Sequence, residues 1–102
     1  MGLDIILEGE TGEALEQVGD PTNILNRLLP DSDDERFRFV SMIDWYGDTV
    51  FNYLQAQQFL KEWRRITAGV SDPAEADLVS AIEQMAEKVA NGRHMYLKFY
   101  GD

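Results

Sequence analysis

Apolar residues recur at helical spacing along two neighbouring stretches in the second half of the chain. The first covers about 53–68, and its stripe consists of Tyr53, Ala56, Leu60, Trp63 and Thr67, with Phe59 and Ile66 beside it. The second covers about 73–91, and its stripe consists of Leu78, Ile82, Met85, Ala86 and Val89. This spacing is typical of amphipathic helices with one buried side. Because the connection is short, the two helices are expected to form an antiparallel hairpin.

Residues that favour helix starts precede both stretches. Asn52 followed by Gln55 has the pattern of a capping box, in which each side chain bonds the other residue's backbone N–H. Asp72, Pro73 and Glu75 provide an N-cap, a proline at the first helical position and the same reciprocal pattern. The helix boundaries are therefore better specified than the apolar stripes alone would make them.

Strand-like alternation of apolar and polar residues appears four times. We predict strands at 3–8, 36–43, 49–51 and 94–100, with 36–43 and 49–51 forming a hairpin. Residues 9–20 are interpreted as a loop with one possible helical turn at 14–18, and a helix is predicted to start at Asp20 and end at Pro30. Phe37 and Phe39, with Phe59, Trp63 and Phe99, are expected to dominate the core.

These elements predict an α+β fold in a single domain over 1–102, with an acidic loop-rich segment at about 9–35. The sheet has three or four strands, mixed or antiparallel, and packs against the helix hairpin. Both ends of the chain are predicted strands, and central pairing of the two would hold those ends together.

Acidic residues are concentrated in the first third of the chain. The whole chain has 19 acidic and nine basic residues, a formal charge of −10. Residues 1–35 contain ten acids and one base, a charge of −9, whereas residues 36–102 carry only −1. A negative field of this kind repels nucleic acids and anionic membranes and attracts basic surfaces. A solvated surface and a docking face for a basic protein are both consistent with it.

The chain has few features that would direct it to a membrane or to an oxidising compartment. No stretch approaches ~18 apolar residues, the number needed to span a bilayer. Residues 1–4 lack the basic region of a signal peptide. There is no cysteine, so disulfides and thiol chemistry are excluded. A cytoplasmic location is expected.

Few residues suggest catalysis. The single histidine, His94, is predicted on the polar side of a strand, and zinc sites and serine triads need more partners than that. Asp44 and Asp48 flank an aromatic turn, where they could act as acid and base or hold a divalent cation. Carboxylates at such positions more often cap the turn through backbone hydrogen bonds. No nucleotide-binding motif is present, and no cofactor is predicted.

Two charged clusters have simple interpretations. The run of acids at 31–35 resembles the start of a calcium loop, but Arg36 and Met42 stand where that loop requires glycine and glutamate. Lys61, Glu62, Arg64 and Arg65 are predicted on the solvated side of the first long helix. The net charge opposes a role for the three basic residues in binding nucleic acid.

Two stretches resemble a known group of proteins. They are Gly47-Asp48-Thr49-Val50-Phe51-Asn52 and the ending Tyr96-Leu97-Lys98-Phe99-Tyr100-Gly101-Asp102. With the opening residues, they make the chain similar to a family of small acidic bacterial proteins of actinobacterial type. The resemblance implies a small bacterial protein, and an immunity-like inhibitor among its possible roles. It transfers no functional residues.

The leading hypothesis for function is an acidic protein-binding module, such as an immunity-type inhibitor of a basic toxin or nuclease. Its predicted contact residues are Asp31, Asp33, Asp34 and Glu35, with Trp45 or Tyr46 as aromatic anchor. Two alternatives remain open. One is a homo-oligomer that associates through Tyr96 and Tyr100, and the other is a small enzyme or ligand-binding protein that uses Asp44, Asp48 and His94 together with those tyrosines.

Overall fold

The computed structural model describes residues 2–31 and 33–101. The elements in chain order are β1 (Asp4–Glu8), β2 (Ala14–Gly19), α1 (Leu25–Leu28), β3 (Asp48–Phe51), α2 (Tyr53–Thr67), α3 (Pro73–Asn91) and β4 (Tyr96–Tyr100). One 3₁₀ turn at Val40–Met42 lies between α1 and β3.

The four strands form one antiparallel sheet in the order β2-β1-β4-β3. The first and last strands lie side by side at its centre, with Ile5 opposite Phe99 and Leu7 opposite Leu97. On the far side of β4, Phe51 of β3 pairs with Leu97. The predicted α+β class is thereby confirmed. The sheet, expected to have three or four strands in a mixed or antiparallel arrangement, has four antiparallel strands, and the terminal strands pair at its centre.

The helix hairpin is also confirmed, and its start signals act largely as predicted. Asn52 Oδ1 accepts the Gln55 N–H and Gln55 Oε1 accepts the Asn52 N–H, both at 2.9 Å. Asp72 accepts the Glu75 N–H at 3.1 Å. The Glu75 carboxylate instead pairs with Arg27 of α1 at 3.2 Å, so the second capping box is only half formed.

The core lies between one side of the sheet and the two long helices. Phe59 and Trp63 of α2 stack at 5.4 Å between ring centroids, and Phe51 and Phe99 of the sheet pack beside them. These four side chains are fully buried. Phe37 and Phe39, by contrast, are only partly buried.

The opposite side of the sheet is open to solvent among the described residues. Burial alternates along β1 and β4, so every second side chain points away from the helices. We call this the outer sheet face, and its residues on the three strands β1, β4 and β3 are Asp4, Ile6, Glu8, Tyr96, Lys98, Tyr100, Asp48 and Val50.

The predicted strand at 36–43 is wrong, and so is its hairpin with 49–51. The backbone there forms local turns: the Ser41 N–H bonds the Phe37 carbonyl, and the Met42 N–H bonds the Phe39 carbonyl. The N–H groups of Phe39 and Val40 bond the Glu62 carboxylate rather than a neighbouring strand. The return strand does exist as β3, but it pairs with β4.

The interpretation of 9–20 as a loop is also wrong, because 14–19 forms the edge strand β2. Its side chains are mostly exposed, so it lacks the apolar alternation that marks a half-buried strand. The predicted helix after Asp20 shortens to Leu25–Leu28. Its N-cap position is Ile24 and not Asp20 as predicted, but the buried Asp20 carboxylate accepts the N–H groups of Ile24 and Leu25, both at 2.8 Å.

Candidate protein-binding surface

The acidic segment (Asp31, Asp33, Asp34 and Glu35) lies in the turns between α1 and the 3₁₀ turn. Asp31, Asp33 and Glu35 are exposed. Among the described residues, none of these three carboxylates forms an ion pair or a side-chain hydrogen bond. They are therefore available to a partner, in agreement with their predicted position on the surface.

Asp34 differs from the other three acids because it is held by Arg36. The guanidinium of Arg36 donates from Nε at 3.0 Å and from Nη2 at 2.8 Å, and the Arg36 backbone N–H donates at 3.1 Å. The guanidinium bonds, followed by the backbone bond, hold the pKa of Asp34 below its ordinary value. Asp34 therefore shapes the turn, and a partner would have to compete with Arg36 for it.

Arginine side chains also reduce the negative charge around the acidic segment. Residues 31–38 contain four acids and two arginines, a formal charge of −2. The guanidiniums of Arg36 and Arg65 lie 5.4 and 5.0 Å from the Phe37 ring centroid. Phe37, which was predicted as a core residue, thus links the acidic segment to the exposed side of α2.

Replacing Arg36 with glutamine is expected to raise the pKa of Asp34 toward its ordinary value of 3.8. Because folding lowers the pKa of Asp34, the Asp34–Arg36 pair stabilises the turn fully at pH values above that ordinary pKa. This stabilisation is lost as the pH falls through the pKa of Asp34 in the folded protein. Carboxyl carbon NMR across an acid titration measures the midpoint. Arg38→Gln is the matched control, and an equal shift there would show that general charge, rather than the paired geometry, controls Asp34.

The turn that carries Trp45 and Tyr46 is built by Asp44. Its Oδ1 accepts the Tyr46 N–H at 2.9 Å, and its backbone N–H donates to Thr49 Oγ1 at 2.8 Å. Of the two aromatic side chains, Trp45 packs partly buried against the core, whereas Tyr46 is 80% exposed. Of these two residues, Tyr46 therefore has most of its side chain available to act as the predicted aromatic anchor.

The acidic segment and this turn are neighbours in space. Trp45 lines a small crevice with Leu29, Pro30 and Ser41. Ser41 also lines a second, shallow depression with Asp33, Asp34, Glu35 and Arg38. Ser41 therefore borders both Trp45 and the acidic segment.

Glu62 anchors this region, and the sequence interpretation placed it wrongly on the solvated side of α2. It is 9% exposed, and its carboxylate accepts the Phe39 N–H at 3.0 and 3.2 Å and the Val40 N–H at 2.9 Å. The position itself carries a signal, because Glu62 lies three residues after Phe59 and four before Ile66, on the apolar side of the helix.

The residues of the enzyme hypothesis do not form one pocket. Asp48 pairs with Tyr100 at one end of β4, whereas His94 precedes the other end and lies 3.6 Å from Glu10. Four residues of strand, about 13 Å, separate Tyr96 from Tyr100. Asp44 is used to build its turn.

Across residues 2–31 and 33–101 there is no group of three or more histidine or acidic side chains that could hold a metal ion. No helix in the same ranges is long and apolar enough to cross a membrane. No protein-family model, curated protein or solved structure matches the chain. The resemblance to the acidic bacterial family stays a prediction.

Proposed function

We propose that the protein is an acidic single-domain binding module for a basic protein, of the kind that inhibits a basic toxin or nuclease. The observation that carries this proposal is the set of acids in the first 35 residues that the fold leaves without a basic partner. Among the described residues these are Asp4, Glu13, Asp31, Asp33 and Glu35. Within the same part of the chain, Asp20 also has no basic partner, but its carboxylate is buried and accepts the N–H groups of Ile24 and Leu25. A cytoplasmic location, on the sequence grounds given above, belongs to the same proposal.

Exposed unpaired carboxylates affect association more than they affect folding. They add little to the stability of an isolated domain, because solvent screens them. In an encounter with a basic surface they increase the association rate and exclude acidic competitors. In a module that binds a basic partner, exposed acids of this kind speed association. In a domain without such a partner, they increase solubility only.

The proposed contact uses Tyr46 as its aromatic centre, with Asp31, Asp33 and Glu35 at its border. A tyrosine with most of its ring exposed offers a large, stiff contact area at low conformational cost. Asp34 and Trp45 stabilise the surface and are less available to a partner, because Asp34 is bonded to Arg36 and Trp45 packs against the core.

Neutralising the three free acids (Asp31→Asn, Asp33→Asn and Glu35→Gln in one variant) is expected to weaken binding to a basic partner about tenfold at low ionic strength, mainly through slower association. Surface plasmon resonance against a panel of purified basic nuclease toxins measures both rates. The difference from the parent should shrink as salt approaches about 0.5 M, because exposed charges are then screened.

The matched control is Asp77→Asn with Glu83→Gln and Glu87→Gln, which removes the same charge from α3. It should retain most of the affinity. Equal losses in the two variants would assign the effect to net charge alone, and no binding to any basic toxin of the panel would contradict the proposed function.

A further inference from the structure

The outer sheet face carries a concentration of exposed apolar side chains. Six large hydrophobic residues are exposed in the described part of the chain, and two of them lie on this side of the sheet. Val50 of β3 is 47% exposed and Tyr100 of β4 is 46% exposed. Leu15, which is 51% exposed, lies in the adjoining edge strand β2 at the irregularity in its pairing with β1. Exposed apolar groups gathered on one flat surface are typical of a binding face.

A network of ion pairs occupies the middle of this face. Lys98 Nζ lies 3.6 Å from Glu8 Oε2 and 3.5 Å from Asp48 Oδ2, so it connects the side chains of all three strands. The carboxylate of Glu8, and to a lesser degree that of Asp48, raises the pKa of Lys98. Lys98 is therefore held by its own neighbours, and the excess charge on the face is negative.

The register places Tyr100 between two carboxylates. Asp4 of β1 and Asp48 of β3 are the direct partners of Tyr100 on its two sides, each about 5 Å away at the backbone. Asp48 is paired with Lys98, whereas Asp4 forms no ion pair within the described ranges. The Lys98 ammonium already lies 5.7 Å from the centroid of the Tyr100 ring. A partner guanidinium would therefore share or replace this contact while it donates to the Asp4 carboxylate.

We propose that the outer sheet face docks a basic protein partner that presents arginine and apolar side chains, with Tyr100 and Asp4 receiving the arginine. Charge complementarity selects this occupant. The face carries Asp4, Glu8 and Asp48 against Lys98 alone, and residues 3–19, which form the adjoining β1–β2 hairpin, contain five acids and no base. A second copy of the chain would bring two surfaces of the same negative sign together.

This inference rests on the proposed function and extends its contact surface. The turn that presents Tyr46 leads directly into β3, and the Gly47 carbonyl accepts the Gly101 N–H at 2.8 Å, just beyond Tyr100. Tyr46 therefore borders the end of the sheet at which Tyr100 and Asp48 lie. A partner that covers the outer sheet face from this end would also reach Tyr46.

The test is an NMR titration of the ¹⁵N-labelled full chain with a capped hexapeptide in which arginine and leucine alternate. A peptide with glutamate in place of arginine is the control ligand. We expect saturable shifts at the amides of Val50, Lys98 and Tyr100 with the arginine peptide alone. Tyr100→Ser and Asp4→Asn should each weaken the affinity about tenfold, the scale of one aromatic or charged contact. Their matched controls, Leu54→Ser and Asp77→Asn, should leave it unchanged.

Each other outcome overturns the inference in an identifiable way. Chemical-shift changes confined to residues 31–46, with unchanged peptide affinity in the Tyr100→Ser variant, would exclude the outer sheet face as the docking site. The proposed function itself would not be contradicted by that result. Equal binding of both peptides, or no saturable binding, would remove the arginine site, while the toxin panel tests the proposed function separately. Shifts on the same amides that depend on protein concentration alone would make a second copy the occupant. If Tyr100→Ser does not fold, Val50→Ser tests the same face.

Discussion

Replacing Trp63 with alanine is expected to lower the free energy of unfolding by about 3–5 kcal/mol. The Trp63 side chain is fully buried and stacks on Phe59 with their ring planes 18° apart. Its Nε1 donates to the Val79 carbonyl of α3 at 3.3 Å, so the same residue connects the two long helices. A domain of this size has a total stability of about 5–15 kcal/mol. Urea denaturation followed by circular dichroism measures the loss.

Two further variants separate the causes of that loss. Trp63→Phe keeps an aromatic ring against Phe59 and removes the indole N–H and part of the volume, so we expect about half of the alanine effect. Leu54→Ala, at a side chain that is 55% exposed, should cost less than about 0.5 kcal/mol. A loss for Trp63→Ala as small as that for Leu54→Ala would contradict the packing described for the core.

The parts of the fold that could be predicted are those in which local and tertiary signals agree. The capping box at Asn52 and the Asp72-Pro73 start coincide with the beginnings of apolar stripes, so both long helices begin where the sequence predicts. Burial alternates along β1 and β4 because they lie at the centre of the sheet with one side buried, and the sequence follows this alternation except at Ile6. An element can be predicted from the sequence when its local capping signals and its pattern of buried residues indicate the same structure.

The parts that could not be predicted depend on groups outside the segment concerned. β2 pairs with one edge of β1, and most of its own side chains remain in solvent. The segment 36–43 alternates like a strand, yet Glu62 from α2 takes two of its N–H groups and turns fill the rest. In both cases a partner outside the segment decides the backbone, and the periodicity of the segment does not record that partner.

The candidate surface was partly predictable for the same reason. The exposure of Asp31, Asp33, Glu35 and Tyr46 follows from their polar and turn-forming neighbours, which are local in the sequence. The bond between Asp34 and Arg36 is also local, but its two-nitrogen geometry depends on how the turn closes. The burial of Trp45 depends on Leu29 and Pro30, which the chain order does not place beside it.

Replacing Glu62 with alanine is expected to cost about 2–4 kcal/mol, because the N–H groups of Phe39 and Val40 would lose a charged acceptor in a largely buried site. Amide hydrogen exchange should locate the effect, with the amides of Phe39 and Val40 losing protection and that of Leu97 in the central strand following global stability alone. The Phe39–Val40 bonds hold the segment that joins the acidic segment to the Tyr46 turn. Partner affinity should therefore fall in this variant, although Glu62 contacts no partner.

Glu62→Gln separates the charge of this side chain from its shape. Oε1 accepts both the Phe39 and the Val40 N–H, at 3.0 and 2.9 Å, and a glutamine can offer the same oxygen to both. Its amide nitrogen would replace Oε2, whose contact with the Phe39 N–H is the longer one, at 3.2 Å. We expect less than half of the alanine loss and nearly full partner affinity. Unchanged exchange at Phe39 and Val40 in Glu62→Ala would contradict the anchoring role, and the position of the candidate surface would then have to come from the packing of Val40 and Ile43 alone.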